Sequence, residues 1–264
     1  MPLHIFITAG EASGDVLGAS LMAALKKQTG GAVRFSGVGG PLMAREGLAS
    51  LFPMTDLSVM GVAEVLPKLN LILNRIKQTS EKIKKINPDV LVTIDAPDFS
   101  FRVARQVRDC CPNPPRMIHY VAPTVWAWRP ERAKKVAGLY DGIMCLFPFE
   151  PSYFEAEGLK AAFVGHPMLE SGYERGDGAA FRQTHGIPES ARSCGVLFGS
   201  RAGELKRMGP LFTEVMARLA ALDPGTHFIV PTLPHLEEKL RFLLRRIAGV
   251  NIHITSDPGQ KWKA

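Results

Sequence analysis

The sequence predicts an α/β protein built from two Rossmann-like, doubly wound domains, of which the second is C-terminally truncated. Short apolar runs alternate with amphipathic segments of helical period, a pattern typical of parallel strands joined by crossover helices. Glycine, proline or charged residues follow most of these runs, as expected where loops at strand ends hold ligands. The periodicity is lost at 168–178, which we interpret as a linker between an N-terminal domain, 1–167, and a C-terminal domain, 179–264.

The composition is that of a globular protein with a basic charge balance. The 264 residues carry a formal net charge of +7, which favours anionic partners such as phosphates, nucleotides, nucleic acid or an anionic membrane surface. The four cysteines show no zinc spacing, so we expect free thiols in a reducing cytoplasm. The N-terminus lacks the pattern of a signal peptide, and no uncharged apolar run is long enough to cross a membrane. We therefore expect a protein that is soluble or bound at a membrane surface.

The first strand, predicted at 4–9, leads through a glycine-rich turn at 10–15 into a helix predicted at 16–27. The glycine spacing in this turn matches neither the dinucleotide-binding fingerprint nor a Walker loop. The turn either brings backbone N–H groups close to a ligand or is a tight turn in which Ser13 or Asp15 caps the helix. The residues alone favour neither interpretation.

The region after the second strand, predicted at 33–38, combines an uncharged stretch with a basic helix. We interpret 54–65 as a β-like and loop stretch, and 58–66 within it carries much apolar surface. The helix predicted from Leu69 to Ile86 has an apolar stripe, and its lysines lie mostly off that stripe. These lysines form either a solvated face or a contact for an anionic surface.

Two carboxylates follow the buried strand predicted at 90–94. Asp95 and Asp98 lie at its carboxyl end, where open parallel sheets hold ligands. Either one could be a general base toward a sugar or other hydroxyl. Alternatively, Asp98 caps a helix that begins at Phe99, and Asp95 makes a turn before Pro97. A metal site is less favoured, because two carboxylates without further ligands hold a cation poorly.

A loop rich in aromatic residues follows the strand predicted at 116–121. Trp126, Trp128 and Arg129 lie just past this strand, which indicates either a binding loop or two ordinary packing aromatics. His166, after a later short strand, is either a ligand contact or a loop histidine. The remaining strands are predicted at 142–147, 161–164, 193–198, 227–230 and 250–255. The remaining helices are predicted at 101–110, 132–136, after 148–150 through Gly158, 181–186, 205–222 and 235–248.

The second half of the chain offers one candidate phosphate site. Gly199, Ser200 and Arg201 lie between a strand and a long helix, whose N-terminal N–H groups and dipole suit a phosphate. The arginine can hold a phosphate through two parallel hydrogen bonds. The alternative is that Ser200 caps the helix and Arg201 is exposed. Only three strands are predicted here, whereas an open α/β sheet usually has about five or more, so this domain looks unfinished.

Several motifs together resemble the lipid-A-disaccharide synthase family, in their order and spacing as well as in their residues. The resemblance covers essentially the whole chain. It rests on Ala9-Gly10-Glu11-Ala12-Ser13-Gly14-Asp15, Val59-Met60-Gly61-Val62-Ala63-Glu64-Val65-Leu66, Ile94-Asp95-Ala96-Pro97-Asp98-Phe99, His119-Tyr120-Val121-Ala122-Pro123, Val125-Trp126-Ala127-Trp128-Arg129, and Gly199-Ser200-Arg201 with Glu204.

This resemblance implies an inverting glycosyltransferase of GT-B type. The family joins UDP-2,3-diacylglucosamine to 2,3-diacylglucosamine 1-phosphate (lipid X), which gives a β-1,6-linked disaccharide 1-phosphate and UDP. It implies a cytoplasmic enzyme that associates peripherally with the inner membrane of a Gram-negative bacterium. The UDP-sugar is a substrate and not a cofactor, so we expect no cofactor. We also expect no metal ion. We also expect no nucleic-acid partner, and a homodimer is possible.

The resemblance also implies roles for individual residues. Asp98 matches the proposed catalytic base, and Arg201 matches the arginine of the donor-phosphate loop, where Phe198 stands in place of the usual proline. The expected UDP and phosphate contacts are Gly199, Ser200, Arg201 and Glu204. The acceptor-binding candidates are Gly10, Glu11, Ser13, Gly14, Asp15, Trp126, Trp128 and Arg129, and the acyl-chain or membrane candidates are Val59, Met60, Val62, Val65, Leu66 and Leu69. Family members are longer than this chain, so a truncated, inactive fragment that binds only acceptor lipid or membrane is the alternative.

Overall fold

The structure, a computed structural model, describes residues 2–57, 62–170, 176–247 and 249–257, without the side chains of 62–68, Met168 and Glu170. The chain divides into two compact units, Met1–Pro167 and Met168–Ala264. Each unit contains a parallel sheet with helices, so the predicted α/β fold class is confirmed. The predicted linker, 168–178, lies partly outside the described residues.

The first unit is built on a six-stranded parallel sheet with the strand order β2-β1-β3-β4-β5-β6. Because the strands are parallel, their carboxyl ends meet at one side of the sheet, which we name the carboxyl edge. The strands are β1 (Leu3–Ala9), β2 (Val33–Val38), β3 (Val90–Ile94), β4 (Arg116–Tyr120), β5 (Gly142–Cys145) and β6 (Ala161–Phe163).

Both faces of this sheet are covered, which explains why its strands are apolar without alternation. Phe6 and Leu91 belong to one buried cluster, whereas their chain neighbours Ile7 and Val92 belong to another. Successive side chains of a strand point to opposite faces, so the two clusters lie on the two sides of the sheet. The helices are α1 (Ala12–Gln28), α2 (Pro41–Arg45), α3 (Val62–Ile86), α4 (Pro97–Cys110), α5 (Arg132–Ala137) and α6 (Pro151–Glu155).

Several helices, α1, α3 and α4 among them, begin earlier than the sequence predicts. The helix expected from Leu69 begins at Val62, and it continues through Pro67. Residues 62–65 are therefore helical and not a β-like loop, while 58–61 lie outside the described residues. The helix expected from Phe101 begins at Pro97. Proline is tolerated at the first helical position, because its missing N–H would have no partner inside the helix there.

The second unit contains a three-stranded parallel sheet with the order β7-β8-β9. Phe228 and Val230 of its middle strand pack with Leu205 and Met216 of the long helix beside it, in one buried cluster. The elements are α7 (Gly178–His185), β7 (Ser193–Gly195), α8 (Ala202–Leu222), β8 (His227–Pro231), α9 (Pro234–Leu244) and β9 (Asn251–Thr255). Among the described residues, no helix is long and apolar enough to cross a membrane.

Candidate active site

The turn between β3 and α4 holds an unusual backbone conformation at the carboxyl edge. Asp95 and Ala96 have φ angles of +48° and +44°, the left-handed region that residues with a β-carbon rarely adopt. The Asp95 N–H donates to the Tyr120 carbonyl at 2.9 Å, which ties the turn to the end of β4. Two such residues in succession cost about 1–3 kcal/mol each, so the surrounding structure must hold the turn in place.

Asp98 is the second residue of α4 and its side chain is exposed. Ala96 occupies the N-cap position and no side chain caps the helix, so the alternative in which Asp98 caps a helix from Phe99 is wrong. No described residue forms a hydrogen bond or ion pair with the Asp98 carboxylate. Asp98 therefore presents a carboxylate to solvent at the carboxyl edge, where it can accept a proton from a bound hydroxyl.

The glycine-rich turn after β1 lies against the turn after β3. A β-carbon built on Gly10 would lie 2.9 Å from the Ala96 β-carbon, closer than unbonded carbons approach. Ser13 is exposed in the first turn of α1, and Glu11 holds the N-cap position without a capping side chain. The alternative in which Ser13 or Asp15 caps α1 is therefore wrong. Gly14 is buried against Ala9 and Ile94, beneath the turn.

Asp15 is buried, with 3% of its surface exposed, and it binds the start of α2. One carboxylate oxygen accepts hydrogen bonds from the backbone N–H groups of Gly40 and Met43, at 2.9 and 3.0 Å. The other accepts from Leu42 at 2.9 Å. Asp15 thus holds the N-terminus of α2, and its carboxylate does not face an acceptor as the sequence analysis expected. The partners lie 25–28 positions further along the chain, so the local sequence gives no sign of this contact.

The loop after β4 exposes two tryptophans. Trp126 and Trp128 are 44% and 62% exposed, so the alternative of ordinary packing aromatics is wrong. The Arg129 guanidinium lies 5.4 Å from the centre of the Trp128 ring, a cation–π contact. Trp126 meets the edge of Phe149 at 5.4 Å, and Phe149 lies nearly parallel to Phe147 at 5.7 Å. These exposed phenylalanines are not among the residues predicted from the sequence, although both lie in the loop after β5.

His166 lies close to this aromatic group, with its ring 6.2 Å from that of Phe147. Of the acyl-chain candidates, Val59 and Met60 fall outside the described residues. Val62, Val65 and Leu66 lie in the first turns of α3, where the side chains are not described. Leu69, in the next turn, is 39% exposed. Among the described residues, no three His, Cys, Asp or Glu side chains converge to hold a metal ion.

In the second unit, the predicted phosphate loop already holds a carboxylate. Glu204 accepts hydrogen bonds from the backbone N–H groups of Ser200 at 2.8 Å and Arg201 at 3.2 Å, and from the Arg201 guanidinium at 3.1 Å. The Ser200 N–H, followed by the contacts from Arg201, lowers the pKa of Glu204. Arg201, and not Ser200, holds the N-cap position, so the capping alternative for Ser200 is wrong. A phosphate that uses these two N–H groups must displace the Glu204 carboxylate.

Gly199 is required by this arrangement. Its φ is +99°, and a β-carbon on it would lie within 2.4 Å of a Glu204 carboxylate oxygen. α8 begins directly afterwards, at Ala202, so the N–H groups of its first turn point toward the loop. The N–H groups of this loop are therefore bound by the chain's own carboxylate in a capping box.

Comparison with known proteins identifies the family that the sequence matches. Residues 5–261 match the family described as Lipid-A-disaccharide synthetase. The lipid-A-disaccharide synthase of Rhodospirillum centenum is 52% identical over 237 residues, which cover 90% of this chain and 59% of that protein. The lipid-A-disaccharide synthase of Gluconobacter oxydans is 42% identical over 260 residues, which cover 98% of this chain and 61% of that protein. The chain thus spans 59–61% of the length of these two relatives.

Solved structures share the fold at low sequence identity. A putative UDP-N-acetylglucosamine 2-epimerase from Listeria monocytogenes superposes with a TM-score of 0.65 at 15% identity, covering 97% of this chain and 69% of that one. This likeness concerns the fold, and it agrees with the predicted α/β architecture of Rossmann-like domains. The match over residues 5–261 and the sequence relatives show more than a shared fold: the chain belongs to the lipid-A-disaccharide synthetase family.

Proposed function

We propose that this chain acts in lipid A disaccharide synthesis. The reaction transfers 2,3-diacylglucosamine from its UDP derivative to 2,3-diacylglucosamine 1-phosphate, which releases UDP. The observation that carries the proposal is the Asp98 carboxylate, which is exposed, unpaired among the described residues, and fixed at the carboxyl edge by a strained turn. Membership of the family supports the choice of substrates.

On the acceptor side, Asp98 acts as general base. Its carboxylate takes the proton of the acceptor's 6-hydroxyl while the hydroxyl oxygen attacks the anomeric carbon of the donor. The bond from that carbon to the UDP oxygen breaks from the opposite face, so the configuration inverts. The exposed position of Asp98 supports this role, because a hydroxyl can approach the carboxylate directly.

On the donor side, the loop at Gly199–Arg201 binds the pyrophosphate of UDP. Negative charge develops on the leaving phosphate as the glycosidic bond breaks. The Arg201 guanidinium and the N–H groups at the start of α8 stabilise that charge, which lowers the barrier without a metal ion. The existing contact of these groups with the Glu204 carboxylate supports their ability to hold an anion.

The remaining contacts follow from the same proposal. The exposed Trp126, Trp128 and Arg129 face the acceptor, with Arg129 suited to its phosphate. The start of α3, with Leu69, contacts acyl chains at the inner face of the membrane, where the protein binds peripherally. We also propose a cytoplasmic location and homodimer formation, with no metal, cofactor or nucleic acid as a partner.

The test is a glycosyl-transfer assay on the purified 264-residue chain, with UDP-2,3-diacylglucosamine and lipid X as substrates. We expect a disaccharide 1-phosphate and UDP in equal amounts. The alternative is a fragment that binds lipid X or membrane without turnover. Binding of lipid X with no product would favour that alternative and contradict the proposed activity of this chain.

A further inference from the structure

A network of buried polar side chains lies behind the strained turn, and none of these side chains has a role in the reaction described above. Thr93, Ser100, His119 and Tyr140 are each no more than 3% exposed. We propose that Tyr140 is a positioning residue, which acts through Ser100 to hold the turn that places Asp98. This inference rests on the proposed function, because it assumes that Asp98 is the catalytic base.

The hydrogen bonds run from the core of the sheet to the turn. The Tyr140 hydroxyl accepts from the Thr93 hydroxyl at 2.9 Å and donates to the Ser100 carbonyl at 3.2 Å. The Ser100 hydroxyl donates to the carbonyl of Asp95 at 2.7 Å. Asp95 is the first of the two left-handed residues. Tyr140 is therefore connected to the turn through one intermediate residue.

The end of this network that lies away from the turn, at Thr93 and His119, is also buried. Thr93 and His119 are opposite each other on β3 and β4, and the Thr93 hydroxyl lies 2.8 Å from His119 Nδ1. The Thr93 hydroxyl donates its only proton to Tyr140, so toward His119 it must accept a hydrogen bond. We therefore place the imidazole proton on His119 Nδ1, which donates to Thr93. The Phe101 ring packs edge-on against His119 at 5.1 Å and Tyr140 at 6.0 Å. The hydrogen bonds that join His119, Thr93, Tyr140 and the Ser100 carbonyl are thus buried, where a hydrogen bond is costly to lose, and only the last one, to the half-buried Asp95, is partly exposed.

These links act on Asp98 because Ser100 and Asp98 share the first turn of α4. Tyr140 holds the Ser100 carbonyl, and the Ser100 hydroxyl holds the residue before the N-cap. Without them, Asp95 and Ala96 can relax from the left-handed region, and the start of α4 moves with them. A displacement of a catalytic group by about 1 Å can cost on the order of 100-fold in rate.

The experiment is a double-mutant cycle between Tyr140→Phe and Asp98→Asn, measured as kcat and KM of glycosyl transfer by the full chain. We expect Tyr140→Phe to lower kcat about 10-fold with KM changed less than about twofold, because the base is misplaced and substrate binding is not. In the Asp98→Asn background, Tyr140→Phe should lower kcat no further, since there is no base left to misplace. Ser100→Ala breaks the second link and should give the same pattern.

The matched control is Tyr153→Phe, which removes a hydroxyl from a tyrosine of α6 that is 43% exposed and should leave kcat unchanged. Thermal unfolding of each variant checks that it is folded at the assay temperature. Equal losses of kcat from Tyr140→Phe in both backgrounds, or a rise in KM alone, would overturn the positioning role and leave the proposed function standing. No turnover by the unchanged chain would overturn the proposed function, and this inference with it.

Discussion

Gly10 and Ala96 are in such close contact that a β-carbon on Gly10 would lie 2.9 Å from the β-carbon of Ala96. The turn after β1 therefore supports the left-handed turn after β3 from the side. Because Asp98 follows Ala96 by two positions, the glycine-rich turn after β1 helps to fix the carboxylate at the start of α4. The glycine at position 10 is a steric requirement of the candidate active site.

We expect Gly10→Ala to destabilise the protein by about 1–3 kcal/mol, because the added methyl group must displace Ala96. The shift should also reduce glycosyl transfer. Urea unfolding of the two proteins measures the free energy. Gly178→Ala is the control, since a β-carbon there meets nothing within 4 Å. Unchanged stability of Gly10→Ala would show that the two turns are not in contact.

Asp15 gives a prediction about stability alone. Its carboxylate accepts hydrogen bonds from the backbone N–H groups of Gly40, Leu42 and Met43, and no other described side chain caps α2. Asp15→Ala should lower the free energy of unfolding by about 2–4 kcal/mol, because it leaves buried N–H groups without an acceptor. Asp109→Ala, at an exposed position of α4, should change it by less than about 0.5 kcal/mol. A small effect of Asp15→Ala in the same denaturation experiment would contradict the capping role.

Glu204 should compete with the donor. Its carboxylate binds the N–H groups that a phosphate of UDP would use, and the contacts from Ser200 and Arg201 lower its pKa. Glu204→Gln should therefore tighten UDP binding several-fold, on the order of 1 kcal/mol, because a neutral amide is displaced more readily than a carboxylate. Isothermal titration calorimetry with UDP measures the change. Glu214→Gln, further along α8, is the control and should leave UDP binding unchanged. Weaker UDP binding by Glu204→Gln, with no change in the control, would contradict the competition and show that the carboxylate organises the loop for its ligand.

His119 predicts a dependence of stability on pH. Burial lowers its pKa from 6.5 to about 3 in the folded protein. Below pH 6.5 the His119 imidazole binds a proton in the unfolded chain but stays neutral in the folded protein. The free energy of unfolding therefore falls as the pH drops from 6.5 toward 3. The slope is at most about 1.4 kcal/mol per pH unit.

Replacing His119 with Gln removes this group and should flatten the curve of unfolding free energy between pH 6.5 and pH 4, measured by urea denaturation at each pH. His235→Gln, at an exposed position, should leave the curve unchanged. If the curves of the original chain and of His119→Gln stay parallel, His119 does not remain neutral in the folded state.

Much of this architecture is predictable from the order of residues along the chain. The strands are short apolar runs that end at glycine, proline or charged residues, and parallel pairing brings those ends to one edge. The placement of Asp98 follows from this rule. The roles of Asp15 and Glu204 do not, because each depends on which backbone N–H groups the fold brings to the carboxylate. The start of α3 was missed because the uncharged stretch before Leu69 was interpreted as β-like and loop, whereas residues from Val62 onward are helical.

The left-handed turn at Asp95 and Ala96 could not be predicted either. Neither residue type favours positive φ as strongly as glycine does, and the contacts that hold the turn come from Tyr120 and Ser100. Strain of this kind is a property of the assembled fold. The buried polar network of Thr93, Ser100, His119 and Tyr140 is likewise visible only in the structure, since in the sequence these are ordinary strand, helix and loop residues.

The most direct test of the account is the rate of glycosyl transfer by the 264-residue chain with Asp98→Asn, compared with the unchanged chain and with Asp109→Asn. The amide keeps the shape of the side chain and removes its basicity. We predict that Asp98→Asn lowers kcat at least about 100-fold with unchanged thermal stability, while Asp109→Asn retains full activity. Turnover by Asp98→Asn close to that of the unchanged chain would contradict the assignment of the catalytic base.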